Sequence, residues 1–126
     1  MTYDPNAPSV NGSIFGLPYT EEQASIIIIP VPWDVTTSYF EGASNGPHSI
    51  LEASKQLDLE LFEIENAWKT PIWMTPISEE ILKLNKKLRD NVKPYLKSLE
   101  ANATSNVHLN PVINQVNEAC INLKKK

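Results

Sequence analysis

An incomplete α/β unit is the fold that this sequence predicts, with one parallel strand from Ile26 to Val31 and about three helices. The strand begins with four consecutive isoleucines and has no polar alternation, so both of its faces should be covered. Later segments space their apolar residues three or four positions apart, as amphipathic helices do. Only one further convincing strand is present, at residues 57–64, although a buried parallel strand needs neighbours on both edges. We therefore expect an unfinished fold, as in a fragment or an obligate subunit.

The size and composition of the chain restrict its class. Its 126 residues fit one folded unit, with residues 1–22 as an N-terminal arm and residues 23–126 as the α/β part. The formal charge is −4 and the only basic run is at residues 124–126, so we expect no nucleic-acid binding. The single cysteine, Cys120, excludes an intrachain disulfide and favours a reducing, cytoplasmic location. No segment resembles a signal peptide or approaches the ~20 apolar residues of a membrane span, so we expect no membrane association.

The elements follow in a readable order from the N-terminus. Prolines and glycines interrupt the polar residues of the arm, which predicts irregular backbone on the surface. Pro30 and Pro32 mark the end of the first strand, because neither has an N–H group for a ladder hydrogen bond. Residues 33–46 then form a loop rich in hydroxyl-bearing and small side chains.

A first helix follows this loop. Pro47 suits its first turn, with Asn45 or Gly46 as the cap, and the helix should run to about Gln56. Its expected buried face consists of Ile50, Ala53 and Leu57.

The second strand is predicted at residues 57–64, where apolar and acidic residues alternate. Residues 66–77 read as a connector that packs down through Trp68 and Trp73. Ser78 can cap a second helix, which Pro94 should kink or split near Asp90.

A polar link at residues 101–109 precedes the last helix. Asn110 and Pro111 begin it, because asparagine caps helices and proline suits the first turn. Its apolar stripe comprises Val112, Val116, Cys120 and Leu123.

Motifs for metal or nucleophilic catalysis are missing from the sequence. His48 and His108 are far apart and neither has a second ligand at helical or strand spacing, so we predict no metal ligands here. Cys120 lies on an apolar stripe and reads as a small hydrophobic residue; a catalytic thiol would have to be exposed. No nucleophile elbow or glycine-rich phosphate loop occurs. We therefore predict no catalytic residue in this chain, and no working enzyme from it alone.

The loop after the first strand is the distinctive feature. In open α/β sheets, ligands bind beyond the carboxyl ends of the strands, so its polar side chains could contact a small substrate. The alternative is that these hydroxyl groups only satisfy the backbone of a tight loop. The polar side chains concerned are Thr36, Thr37, Ser38, Tyr39, Ser44 and Asn45.

Three motifs follow one another around this loop. They are IIPVPWDVTTSY at residues 28–39, GASNGP at 42–47 and ILEAS at 50–54. Their order resembles the first βα unit of the ureohydrolase family, which comprises arginases, agmatinases and guanidine hydrolases. Residues 57–59 and the connector at 68–76 are most similar to the agmatinase-like and guanidine-hydrolase branch.

The resemblance implies an arginase-like three-layer α/β/α fold, of which this chain would be the N-terminal part. It also implies hydrolysis of a guanidino C–N bond, a cofactor pair of Mn²⁺ or Ni²⁺ in the full-length parent, and a trimer or hexamer. The family's metal-binding motifs, Gly-Gly-Asp-His, Asp-Ala-His-x-Asp and Asp-x-Asp, do not occur in this sequence. Only Thr36, Thr37 and Ser38 match a loop at the family's active-site mouth, and we predict that they bind substrate.

Two functions remain open at this point. The first is an N-terminal fragment of an agmatinase-like ureohydrolase that acts on a small guanidino substrate and is inactive alone; its partners would be the remainder of the parent chain or homologous subunits. The second is a non-catalytic binding or regulatory subunit that docks on a full-length homologue through its acidic surface and a patch of Trp68 and Trp73. A cysteine enzyme is a third hypothesis, which requires Cys120 to be exposed and rapidly alkylated.

Overall fold

A computed structural model describes residue 4 and residues 12–38, 40–59, 63–101 and 110–125. Among these residues the regular elements are β1 (Ile26–Ile28), α1 (Gly46–Ser54), β2 (Ile72–Met74), α2 (Glu79–Glu100) and α3 (Asn110–Leu123). Short 3₁₀ turns lie at Ile14–Gly16, Glu21–Gln23, Ala43–Asn45 and Ala67–Lys69. The predicted incomplete α/β fold with three helices is thus confirmed.

These elements form two compact units. The first unit combines residues 1–31 with 45–78, and the second combines residues 32–44 with 79–126. The loop after the first strand therefore packs with the long helix α2, far away in sequence.

The first unit contains a parallel strand pair. Ile26 is opposite Ile72, Ile27 opposite Trp73 and Ile28 opposite Met74. The predicted parallel strand is confirmed, but it ends at Ile28 instead of Val31. Pro30 and Pro32 explain the early end, because neither can donate a ladder hydrogen bond.

The position of the second strand was predicted wrongly. Residues 57–59 and 63–64 are not in a strand, and residues 60–62 lie outside the described part of the chain. The partner of β1 is instead Ile72–Met74, inside the predicted connector. This run is short but joins β-branched and aromatic side chains between two prolines, which suits a strand that needs only three paired residues.

The arm docks through two fully buried side chains. Ile14 and Leu17 are 1% and 2% exposed, in the 3₁₀ turn and immediately after it. The Ser54 hydroxyl of α1 accepts a hydrogen bond from the Phe15 backbone N–H at 2.9 Å and donates one to the Leu51 carbonyl at 2.7 Å. The small polar side chain of Ser54 can therefore be buried against the arm, because its hydroxyl has both partners.

This docking corrects the predicted buried face of α1. Ser54 is buried, whereas Ile50 and Leu57 of the predicted face are 62% and 59% exposed. The start of the helix agrees with the prediction, with Asn45 as the cap and Pro47 in the first turn.

The second unit has its own apolar core. Val35 is completely buried against Leu88 and Val92 of α2 and Val116 of α3. Side chains packed around this cluster include Trp33, Tyr95, Leu96, Val112, Ala119 and Cys120. The predicted stripe of α3 thus provides part of the core.

Helix α2 does not split at Pro94. It is continuous from Glu79 to Glu100 with Pro94 inside, so the predicted split near Asp90 is wrong, and a kink there stays a prediction. Val92 and Tyr95, on either side of the proline, both contact the Val35 cluster. Packing on one shared cluster outweighs the lost backbone hydrogen bond, which costs about 3 kcal/mol in a helix interior.

The strand β1 is much less covered than a central parallel strand would be. Ile26 and Ile27, whose side chains point to opposite faces, are each 47% exposed, and Ile29 is 71% exposed. In the described part of the chain, its sheet has two strands. A second strand alone leaves both faces of β1 largely open, contrary to the predicted burial.

Candidate functional site in the loop after the first strand

The loop that follows β1 is anchored by the buried side chain of Asp34. This residue is 4% exposed and belongs to the second unit. Its backbone N–H donates to Asn85 Oδ1 at 2.8 Å, and Asn85 Nδ2 donates back to Asp34 Oδ1 at 2.8 Å. Asn85 is itself 5% exposed on α2, so the pair satisfies two buried polar groups at once.

The other carboxylate oxygen of Asp34 closes the loop onto itself. Asp34 Oδ2 accepts the backbone N–H groups of Gly42 at 2.8 Å and Ser44 at 3.2 Å. Gly42 has φ of 127°, a conformation that glycine adopts readily and other residues rarely do. One carboxylate thereby ties the start of the loop to its end.

These contacts stabilise the ionised form of Asp34. Burial acts to raise the pKa of the carboxyl, but the hydrogen bonds from Asn85, Gly42 and Ser44 outweigh it and lower the pKa to about 2. Asp34 is therefore a fixed anion near neutral pH and is not suited to general acid catalysis.

Arg89 holds the backbone on the helix side of the loop. Its Nη1 donates to three carbonyl oxygens, those of Asp34 at 3.2 Å, Val35 at 2.9 Å and Thr37 at 2.6 Å. Asn85 and Arg89 are four residues apart on α2 and so lie on one helix face. A single helix thus binds both the side chain of Asp34 and the carbonyl groups that follow it.

A peripheral ion-pair group links the loop to α2 as well. Glu41 Oε2 lies 3.2 Å from Lys93 Nζ and 3.7 Å from Arg89 Nε. Lys93 also contacts Asp90 at 3.3 Å, and these neighbouring carboxylates raise its pKa. Glu41 and Lys93 are well exposed, so this group contributes much less than the buried Asp34 contacts.

The predicted substrate-binding residues occupy the part of the loop between these anchors. Thr36 and Ser38 are exposed, whereas Thr37 is partly buried. The Thr37 hydroxyl donates to the Asp34 carbonyl at 2.9 Å and its N–H to the same oxygen at 3.2 Å. The Thr37 side chain therefore satisfies a backbone carbonyl group of the loop, which was the alternative prediction from the sequence. Substrate binding by Thr36, Thr37 and Ser38 stays a prediction.

An open depression adjoins this part of the loop. Its volume is about 430 Å³. Ser38, Phe40 and Glu41 form one side, and Arg89, Lys93 and Leu96 of α2 contribute to the other. Of the remaining polar residues singled out in the sequence, Ser44 uses its N–H on Asp34, and Tyr39 lies outside the described residues.

The residues described by the structure do not fit a metal pair. Nowhere among them do three or more His, Cys, Asp or Glu side chains come close enough to hold a metal ion. Asp34 is the one buried carboxylate in the described loop, and N–H donors occupy both of its oxygens. His48 is exposed on α1, and His108 lies outside the described residues. Cys120 packs partly buried against the Val35 cluster, as expected of a small hydrophobic residue.

Sequence reasoning missed Asp34, Asn85 and Arg89 as a group. Two local signals could have drawn attention to them. Asp34 stands directly before the hydroxyl-rich segment, in a position typical of loop-forming aspartates. Asn85 and Arg89 lie next to the apolar positions of an amphipathic helix, where a polar side chain needs a buried partner.

Comparisons with known proteins agree with this architecture. The sequence profile of the arginase family matches residues 24–116, from just before β1 into α3. The N(1)-aminopropylagmatine ureohydrolase of Synechocystis sp. is 46% identical over 35 residues, which are 28% of this chain and 11% of that protein. The enzyme of the same name from Thermus thermophilus is 43% identical over 43 residues, 34% of this chain and 15% of that protein.

The aligned segments thus cover a small part of these relatives' own lengths. No solved structure matches the chain. No helix in the described ranges is long and apolar enough to cross a membrane. Because the profile match extends over most of the sequence and includes β1, the Asp34 loop and residues of all three described helices, this chain belongs to the arginase family.

Proposed function

We propose that this chain is the N-terminal βα portion of an agmatinase-like ureohydrolase that hydrolyses a guanidino C–N bond, and that it is inactive alone. Its membership of the arginase family supports the reaction class. Two relatives named as N(1)-aminopropylagmatine ureohydrolases support a substrate with a guanidino group on an aliphatic amine chain.

The observation that carries this proposal is the anchored loop. Asp34 and Arg89 hold the loop backbone at its start and at its end, and Thr36 and Ser38 are exposed between these points. A loop that follows a parallel strand is where α/β enzymes commonly place ligand-binding groups. Buried polar contacts that hold exposed hydroxyl groups in place suit a substrate-binding role.

The metal pair implied by the family would come from elsewhere in the protein. In the described residues, the buried carboxylate of the loop, that of Asp34, is already bound by N–H groups and no ligand cluster forms. We propose that this chain contributes a substrate-binding loop to the active site, and that the remainder of the enzyme binds a Mn²⁺ or Ni²⁺ pair.

Partner binding is proposed at the open faces of β1. Ile26, Ile27 and Ile29 expose apolar surface on and just after the strand, which is costly in water and is typical of an interface. The remainder of the parent enzyme, or homologous subunits in a trimer or hexamer, would cover it. The same surface would also serve a non-catalytic subunit docking on a full-length homologue. Trp68 and Trp73, expected to form that docking patch, are partly buried in the first unit, so β1 is the better candidate.

Urea release and metal content test the proposal directly. The 126-residue chain and the longest natural gene product containing it are loaded with Mn²⁺ or Ni²⁺ and assayed with agmatine, N(1)-aminopropylagmatine and guanidinium. We expect the longer product to release urea and the isolated chain to release none. Stoichiometric metal and turnover in the isolated chain would contradict the inactive-fragment proposal. A gene product that ends at Lys126 and binds a full-length homologue would favour the non-catalytic subunit.

A further inference from the structure

Arg89 makes an unusual set of contacts for a helix side chain. One nitrogen, Nη1, lies within hydrogen-bond distance of the carbonyl oxygens of Asp34, Val35 and Thr37. The NH₂ group has two hydrogens, so the three acceptors share them. Three carbonyl dipoles gathered around one point repel one another unless a positive charge lies between them. The loop backbone at residues 34–37 therefore forms a cradle for a guanidinium group.

The cradle is shielded from solvent. The Arg89 side chain is 11% exposed, and its Nε is buried without a hydrogen-bond partner within the described chain. Among the described residues, the carboxylate of Glu41 lies nearest to Nε, at 3.7 Å, beyond hydrogen-bond distance. Charge-assisted hydrogen bonds in such a place are stronger than those of an exposed pair.

The residues that Arg89 binds alternate with the exposed ones. It contacts the backbone of Val35 and Thr37, whereas Thr36 and Ser38 are exposed. Moving the Val35 and Thr37 carbonyl groups would move the intervening Thr36 with them. The guanidinium thus controls the position of groups that it does not touch.

We propose that Arg89 is a positioning residue, whose guanidinium organises the loop backbone so that Thr36 and Ser38 reach the substrate. This inference rests on the proposed ureohydrolase function. It predicts that substitutions of Arg89 lower turnover by more than their effect on stability accounts for. Lysine would be a poor replacement, because its ammonium nitrogen ends one bond short of the position of Arg89 Nη1 and is more strongly hydrated.

Amide hydrogen exchange in the 126-residue chain tests the cradle without reference to activity. In Arg89→Ala we expect exchange at the Thr37 N–H to be about tenfold faster, the equivalent of one hydrogen bond, with α3 unchanged. Adding ethylguanidinium should restore protection of Thr37, and the same concentration of ethylammonium should not. Lys86→Met, which removes a cation from an exposed position of α2, is the matched control and should leave the exchange at Thr37 unaltered. Equal restoration by both cations, or faster exchange throughout α2 and α3, would overturn the cradle.

Kinetics of the longer gene product test the positioning role. Arg89→Ala and Arg89→Lys should lower kcat/KM by roughly 10- to 100-fold, as a displacement of about 1 Å at a substrate-binding group does. Lys86→Met should retain the wild-type value.

If Arg89→Ala fails to fold, Arg89→Lys decides the matter, and a folded Arg89→Lys with wild-type kcat/KM would overturn the inference. A wild-type protein that releases no urea would overturn the proposed function itself, and the positioning role with it. A wild-type protein that is active, with Arg89 variants equally active, would overturn the positioning role alone.

Discussion

Replacing Asp34 by asparagine tests the loop anchor most directly. The change keeps the size of the side chain but removes the charge and offers an NH₂ group where two oxygens now accept N–H donors. Whichever way the new amide is oriented, at least one donor among Asn85, Gly42 and Ser44 loses its acceptor. We expect Asp34→Asn to destabilise the chain.

The size of the effect follows from the pKa. The carboxyl group titrates at about 2 in the folded chain, against its ordinary value of 3.8. At about 1.36 kcal/mol per pH unit, this difference corresponds to roughly 2 kcal/mol of stability near neutral pH. Because the folded-state pKa is lowered, the contribution is complete above about pH 5, falls to about half near pH 3 and is nearly lost at about pH 2. Asp34→Asn should therefore cost about 2 to 3 kcal/mol at pH 7 and progressively less in acid.

Urea denaturation followed by helical circular dichroism measures this difference. The free energies of unfolding of the wild type and Asp34→Asn are compared between pH 7 and about pH 3. Asp90→Asn is the matched control, because Asp90 lies on the exposed side of α2 in a surface ion pair with Lys93, and should change stability by less than about 1 kcal/mol. A stability difference that is absent at pH 7, or that is as large at pH 3 as at pH 7, would refute the assigned role of the Asp34 carboxylate.

Three further substitutions probe the second unit by the same denaturation assay. Asn85→Ala should destabilise the chain by about 2 kcal/mol, because it leaves buried groups of Asp34 unpaired. In the double variant with Asp34→Asn, the two losses of stability should be less than additive, and full additivity would argue against a direct pair. Val35→Ala should destabilise by about 2 kcal/mol because it opens a cavity against Leu88 and Val116, and a neutral effect would mean that this core is not packed. Pro94→Ala should raise stability by about 1 to 3 kcal/mol, since it restores a helical N–H in an unbroken helix; a loss of stability would contradict that helix geometry.

The sequence was most informative where a structural signal is local. The conformational preferences of proline predicted the start of α1 near Pro47 and the start of α3 at Asn110, and the isoleucine run predicted the position of β1. These features depend on neighbouring residues alone, because proline acts on its own φ angle and on one hydrogen bond. The family resemblance, carried by the order of motifs around residues 28–54, was confirmed by the profile match.

Choices between competing faces and partners were less predictable. Residues 57–64 alternate more regularly than residues 72–74, yet the latter pair with β1. Ile50 is more apolar than Ser54, yet Ser54 is buried because the arm supplies a backbone N–H for its hydroxyl group. In each case a segment distant in sequence decided the outcome.

The amino-acid sequence by itself determined the α/β class, the location of the loop after β1 and the membership of the ureohydrolase family. These features follow from local periodicity and from the order of motifs. Only the tertiary structure brought Asp34 together with Asn85 and Arg89, which are 51 and 55 residues further along the chain. The physical reason is that a buried carboxylate and several converging carbonyl groups require hydrogen-bond donors. Those donors can come from any segment that packing brings close, however distant it is in sequence. Packing of Val35 against α2 places that helix face beneath the loop, and the anchor follows from that contact.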